Sequence, residues 1–439
     1  MSEGAIIALL FGCLFLALAL GCPIAFAIGG VGLIFIFLAW DPGAVVMIGL
    51  EAFAKLSSFS FLAIPLFILM ANTLQESGLA EALYGAMHRW LGFIGGGLAM
   101  GTVIICVLFA AMAGISGAAT VSMGLIALPA MLKRGYDSNI AIGCISAGGA
   151  LGILIPPSVT MIIYGLIAPE SVGRLFAGGV FPGLLLATLF ITYIAVRARL
   201  QPNLAPAVPP EERVSWGEKF RSVKDVAAPI LIILAVLGGI FGGITTISEA
   251  AAVGALASLI CALFYRGLNW QVLRTITTKT LGLSCLVMWI VLGSTAFSAF
   301  FSAIGASRMI ADVIAALEIN RWLVLILMQF LLLIMGMVME TTGIIMVTVP
   351  AFVPVIKLLG FDPVWFGVLF VMNMEMGFLT PPFGYNLFYM KGVVPKGITM
   401  GDIYRSVAPF VLLQALGLAI CMIFPQIVLF LPNLVFGSF

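Results

Sequence analysis

One stretch of this chain occurs twice. Residues 116–158 and 341–383 align without a gap at a constant offset of 225, and the shared positions are those that interrupt regular structure. Pro129 falls on Pro354, Gly135-Tyr136-Asp137 on Gly360-Phe361-Asp362, Gly152 on Gly377, and Pro156-Pro157 on Pro381-Pro382. Each copy breaks an apolar run with small polar residues, turns at Gly-aromatic-Asp, and breaks a second apolar run with a proline pair. Hydrocarbon cannot satisfy loose peptide N–H and C=O groups, so a broken apolar segment survives in a membrane only where those groups meet protein, water or a ligand. A matched pair of interrupted segments in two halves of a chain therefore points to a central ion or solute site.

The composition requires that membrane. With 63% hydrophobic and 9% charged residues and a mean hydropathy of +1.24, the chain lacks the polar surface of a soluble globule, in which about a quarter of residues are charged. A net charge of +2, scattered along the chain, excludes a nucleic-acid-binding role. The seven cysteines include no Cys-x-x-Cys pair and lie in or beside apolar runs, so they read as small packing residues, not as a disulfide or zinc framework. No basic segment precedes the first apolar run, which is read as a span and not as a cleaved signal.

Apolar runs long enough for a bilayer of about 30 Å predict an all-α polytopic membrane protein with ten crossings, at 4–20, 23–40, 59–74, 138–168, 175–196, 227–241, 250–264, 281–301, 364–392 and 408–431. Two further regions, 97–132 and 322–357, break near their middles and are read as re-entrant hairpins, a plain pair of short spans being the alternative. With the polar segment 197–225 in the cytoplasm, fifteen of the twenty basic residues fall inside, and Lys55, Arg174, Arg308, Arg321 and Lys357 fall outside. That bias is the positive-inside pattern. Five crossings separate the hairpins, so they enter from opposite sides and the repeat is inverted.

The chain then divides into N-terminal scaffold helices (1–58), a first inverted repeat (59–196) and a cytoplasmic loop (197–225), followed by scaffold helices with a linker (226–280), a second inverted repeat (281–431) and a tail (432–439). Mixed-face segments before each hairpin, at 79–89 and 309–321, suit helices lying on the membrane surface.

A helix that stops in mid-membrane exposes carbonyls that can bind a hard cation at one end and N–H groups that favour an anion at the other. Ser116 and Thr120 at the first tip, Thr341 and Thr342 at the second, and Ser158, Thr160, Thr380 and Asn386 near the proline pairs supply oxygen ligands without a strong base or nucleophile. Glu340 and Glu375 lie in apolar surroundings, where a carboxylate costs about 2.5–3.5 kcal/mol. Each could bind a cation, carry a proton or cap a helix end. Asn373 and Glu249 are weaker candidates of that kind, and Asn72 is expected to bond to a neighbouring helix. His88, the only histidine, sits beside Arg89 and Trp90 and reads as a surface residue. A Ser-His-Asp triad or a histidine metalloprotease motif is thus excluded.

On these residues the chain resembles the large membrane subunit of tripartite ATP-independent periplasmic (TRAP) transporters, the DctM type. The likeness runs over nearly the whole length and includes AIPLFIL at 63–69, LGILIPPS at 151–158 and GFLTPPFGYN at 377–386. It is similar more remotely to sodium-coupled dicarboxylate symporters, whose tips carry Ser-Asn-Thr; here the tips read Ser116-Gly117-Ala118 and Thr341-Thr342-Gly343. The resemblance implies an ion-transporter-superfamily fold and an elevator motion driven by Na+. It also implies a small four-helix Q-type (DctQ) subunit, a periplasmic P-type (DctP) substrate-binding protein, an organic-acid substrate and a bacterial inner-membrane location.

By the same likeness the cation sites map to Ser116, Gly117 and Thr120 with Gly152, Pro156 and Ser158, and to Glu340, Thr341, Thr342 and Gly343 with Gly377, Thr380 and Pro381. The substrate would lie between them, near Ser116, Ser158, Thr342, Gly384 and Asn386. The rival readings are a stand-alone sodium/dicarboxylate symporter or ion exchanger, a membrane enzyme using Glu340 and Glu375, and a passive channel.

Overall fold

The computed structural model describes residues 3–114, 116–209, 211, 214–265, 268–306, 309 and 320–437, and among them all regular structure is helical. The N-terminal part comprises α1 (Glu3–Ala19), α2 (Ile24–Ala39) and α3 (Ala44–Leu56). The first repeat follows with α4 (Ala63–Glu76), α5 (Leu79–Leu91), α6 (Gly97–Ala113), α7 (Ser116–Lys133), α8 (Ser138–Ala150), α9 (Val159–Ile167) and α10 (Val172–Leu200). Next come α11 (Trp216–Phe241), α12 (Ile247–Tyr265) and the long α13 (Trp270–Ala303). The second repeat continues with α14 (Arg321–Gly336), α15 (Thr341–Leu358), α16 (Pro363–Gly377), α17 (Tyr385–Val393), α18 (Met400–Ile423) and α19 (Gln426–Phe436).

The chemistry of the duplicated turn explains why α7 and α15 end where they do. Gly135 and Gly360 adopt φ of 78° and 73°, the left-handed conformation that glycine tolerates best and that ends a helix. Tyr136 N–H then bonds to Met131 O and Phe361 N–H to Ile356 O, each at 3.1 Å, which satisfies carbonyls left over at the helix end. Asp137 and Asp362 cap the next helices, accepting from the N–H groups of Asn139 and Ile140 in one case and of Val364 and Trp365 in the other. Each cap contributes about 1 kcal/mol.

The four breaks foreseen in the apolar runs are all present: at Gly114, at 151–158, at 337–340 and at 378–384. Pro156-Pro157 and Pro381-Pro382 are both cis. Among the described residues, seven helices are individually long and apolar enough to cross a membrane, against ten crossings expected. The difference arises because α1 and α2 have only 17 and 16 residues, because each proline pair splits its run into two shorter helices, and because α11 is bent, while α7 and α15, expected as hairpin segments and not as crossings, add two to the seven. The crossing expected at 408–431 is also displaced, since Pro425 follows the end of α18 at Ile423 and α19 starts anew. The polar segment 197–225 is shorter as a loop than its composition suggests. α10 continues to Leu200 and α11 begins at Trp216, behind a capping box of Ser215 and Glu218. The surface helix expected at 79–89 corresponds to α5; the one expected at 309–321, with Arg308, lies largely outside the described residues.

Packing between the halves is reciprocal. α7 packs on α17 while its counterpart α15 packs on α9, the counterpart of α17; likewise α8 packs on α18 and α16 on α10. Around this body, α13 lies against α2, α4 and α15, and α12 packs on α4.

Candidate functional site

Between the two tips lies a cavity of about 160 Å³ that brings together Ser116 and Gly117 from the start of α7 with Glu340, Thr341 and Thr342 from the start of α15. Ser116 and Thr341 are register equivalents at the repeat offset, and each is the first residue of its helix. Both are buried, at 3% and 2% exposure, and the Thr341 hydroxyl has no hydrogen-bond partner in the structure. A buried hydroxyl on a cavity wall offers its oxygen to whatever occupies that space. Thr160 of α9 and Tyr385 and Tyr389 of α17 complete the polar wall.

Glu340 resolves one question left open by composition. Its side chain accepts from Thr342 N–H at 2.8 Å and from the Thr342 hydroxyl at 2.9 Å, which makes it the N-cap of α15. Its carboxyl group still borders the cavity, whose lining includes no basic side chain among the described residues. The opposite wall is apolar and comes from outside the tips: Ile68 of α4 and Leu283, Leu286, Val287 and Ile290 of α13.

The other expected residues lie around this chamber, not in its lining. Thr120 is one turn inside α7, fully buried, with its hydroxyl on Ser116 O at 3.3 Å. It presses on α8 so closely that a methyl at Gly149 would fall 2.0 Å from its Oγ1. Ser158 caps α9 at Met161 N–H and donates its hydroxyl proton to Ile153 O. Gly152 and Pro156 are buried beside it behind the first tip. Gly343 packs on Ile24 of α2, and Gly377 lies against Gly336, where a Cβ would come within 2.9 Å of backbone.

The second proline break differs from the first. Pro381 and Pro382 are exposed, Tyr404 donates to Pro382 O at 2.8 Å, and the Thr380 hydroxyl donates to Met376 O at 2.7 Å. Gly384 N–H reaches back to Met337 O at 3.3 Å. Asn386 is fully buried, but it faces α8, donating to Ser146 O at 3.2 Å.

Sequence reasoning missed Tyr385, Tyr389 and the α13 wall. The i, i+4 spacing of the two tyrosines, placed directly after the break, was the available signal for the first two. Glu375 is fully buried in α16, away from the cavity lining. Asn373 beside it in sequence donates to Gln329 O and Oε1 at 2.7 and 2.6 Å. Asn72 donates to the Thr280 hydroxyl of α13 at 3.1 Å, an interhelical bond of the expected type. Glu249 accepts from Thr246 at the start of α12, a local cap. Neither a paired nucleophile and base nor a metal-binding group of histidine, cysteine and acidic side chains occurs among the described residues of the site.

Over residues 11–427 the sequence matches the family described as the DctM component of the tripartite ATP-independent periplasmic transporter. It is 35% identical to the C4-dicarboxylate TRAP transporter large permease protein DctM of Pseudomonas aeruginosa, covering 90% of this chain and 91% of that protein. It is 32% identical to the isethionate TRAP transporter permease protein DctMQ of Oleidesulfovibrio alaskensis, covering 96% of this chain and 65% of that one. In fold it is similar to the crystal structure of the Alcanivorax borkumensis YdaH transporter, with a TM-score of 0.62 at 16% sequence identity, over 88% of this chain and 90% of that chain.

Proposed function

The chain belongs to the DctM component family of TRAP transporters, and from that membership we propose that it performs sodium-coupled uptake of an organic acid across the bacterial inner membrane. Membership makes it a multi-pass transport permease and not an enzyme. The observation that carries the sodium reading is the charge balance of the cavity: one carboxylate, two hydroxyl-bearing helix starts and no basic side chain among the described lining residues. An anionic solute entering such a chamber meets repulsion from Glu340, and positive helix ends worth about 0.3–1 kcal/mol each do not offset an unpaired buried charge. A small cation held by tip hydroxyls and loose carbonyls does.

The reciprocal packing of α7 on α17 and α15 on α9 is what a two-fold relation between the repeats produces. It supports the inverted arrangement with two re-entrant hairpins. The cavity lies where tip helices meet α4 and α13, an arrangement that agrees with an elevator in which the tips move past those two helices. In the partners we follow the family: a Q-type membrane subunit, for which the DctMQ name of one relative argues, and a periplasmic binding protein that delivers the solute. The cargo class follows the C4-dicarboxylate and isethionate relatives, both organic anions.

Reconstitution of the chain with these two partners in vesicles tests the proposal. Uptake is expected only with an inward sodium gradient and with both partners present. Uptake indifferent to sodium would overturn the coupling, and uptake by the chain alone would favour the stand-alone symporter.

A further inference from the structure

The chamber between the tips is polar on one side and hydrocarbon on the other. Ser116 and Thr341 begin α7 and α15 there, so two helix starts, each the positive end of an 18-residue helix, line the same space. Thr341 is 2% exposed and its hydroxyl has no partner in the structure. Two rings hold this polar side in place. A Cβ on Gly117 would fall 2.7 Å from the Tyr389 ring, and the Tyr385 and Phe378 ring centres lie 5.5 Å apart.

The facing wall is built differently. Leu283, Leu286, Val287 and Ile290 recur at i, i+3, i+4 and i+7 along α13, the spacing that puts side chains on one helix face, and all of them line the cavity together with Ile68 of α4. Leu283 and Leu286 keep 37% and 48% of their surface exposed, so hydrocarbon is left for a guest to cover. A carboxylate set against that wall loses its water and gains no donor, whereas a methylene or methyl group gains by leaving water.

We propose that the chamber selects organic acids that carry a single carboxylate on an apolar body over dicarboxylates. The carboxylate lies at the tips, beside the helix starts, the Thr341 hydroxyl and the cation, and the hydrocarbon body lies on the α13 face. The inference rests on the reading of this chamber as the solute site of a sodium-coupled permease, and it narrows the organic anions of that reading to one class. A second carboxylate at the far end of a short chain would be carried onto Leu286 and Val287, whose side chains have no hydrogen-bonding group to offer.

Thermal unfolding of the purified full chain, titrated with the sodium or choline salts of simple acids, tests this. In sodium, butyrate should stabilise the chain at a concentration about ten-fold or more below that needed for succinate, which has the same carbon count and a second carboxylate. From propionate to butyrate to pentanoate the half-effect concentration should fall about four-fold per methylene, the factor equivalent to roughly 0.8 kcal/mol. Leu286→Asn should flatten that series. Leu286→Lys, which sets a cation on the wall, should tighten succinate binding, and if it folds poorly the asparagine variant and the chain-length series still decide. Succinate binding as tightly as butyrate, or a flat series in the parent chain, overturns the proposal and leaves sodium-coupled uptake of organic acids standing. A preference for butyrate that is equal in sodium and in choline supports the apolar wall and overturns the coupling. Stabilisation by neither acid overturns both.

Discussion

Replacing Thr341 by valine gives a test in which two effects have opposite signs. The side chain is 2% exposed and its hydroxyl has no partner in the structure. Thr341→Val exchanges that hydroxyl for a methyl of nearly the same shape. In sodium-free buffer, with choline in its place, the exchange removes a buried unsatisfied group and should raise stability by about 1–3 kcal/mol. Sodium narrows the difference if Thr341 is a ligand. A cation present at about a hundred times its dissociation constant stabilises the folded chain by about 2.7 kcal/mol, and the valine variant loses that part of the gain. Unfolding of the purified full chain in sodium and in choline measures both arms. The variant should be the more stable protein in choline, and sodium should stabilise it by less than it stabilises the parent. A valine variant that is less stable in both buffers would mean that the hydroxyl makes a structural bond. One that responds to sodium as fully as the parent would remove Thr341 from the cation site.

Three further substitutions bear on the same chamber and its supports. Ser116→Ala should weaken the sodium activation of uptake more than it lowers protein level, and Thr380→Ala, whose side chain lies outside the cavity lining, should weaken it less; sodium titrations of uptake compare the two. Glu340→Gln keeps an acceptor for Thr342 N–H and should preserve stability, while Glu340→Ala should cost about 1–2 kcal/mol as a lost cap, read by denaturant unfolding; equal losses in both variants would make the charge itself the stabilising element. Asp137→Ala and Asp362→Ala remove equivalent caps from α8 and α16 and should each destabilise by about 1 kcal/mol, and a much larger loss at Asp362 alone would implicate the Arg174 guanidinium 4.0 Å away.

How much of this was legible before the fold was known depends on whether a feature is local. The ends of α7 and α15, the starts of α8 and α16 and the proline breaks are local events. A glycine that can turn left-handed, an aspartate that caps the next helix and a proline pair that offers no N–H act within a few residues, and the repeat at an offset of 225 showed them twice. The bilayer setting was equally legible, because it follows from composition.

Direction was not legible. Asn386 was expected in the solute site, yet α17 begins at Tyr385 in a phase that turns Tyr385 and Tyr389 to the cavity and Asn386 to Ser146 of α8. Glu340 could have been a ligand, a proton carrier or a cap until the backbone of Thr342 stood within 2.8 Å of it. The sequence by itself determined that the chain spans a membrane, that it repeats, and where its helices break. Only the tertiary structure decided that Ser116 and Thr341 share one chamber walled by α13, because which side of a helix faces inward is chosen by partners hundreds of residues away and not by the residue's own neighbours.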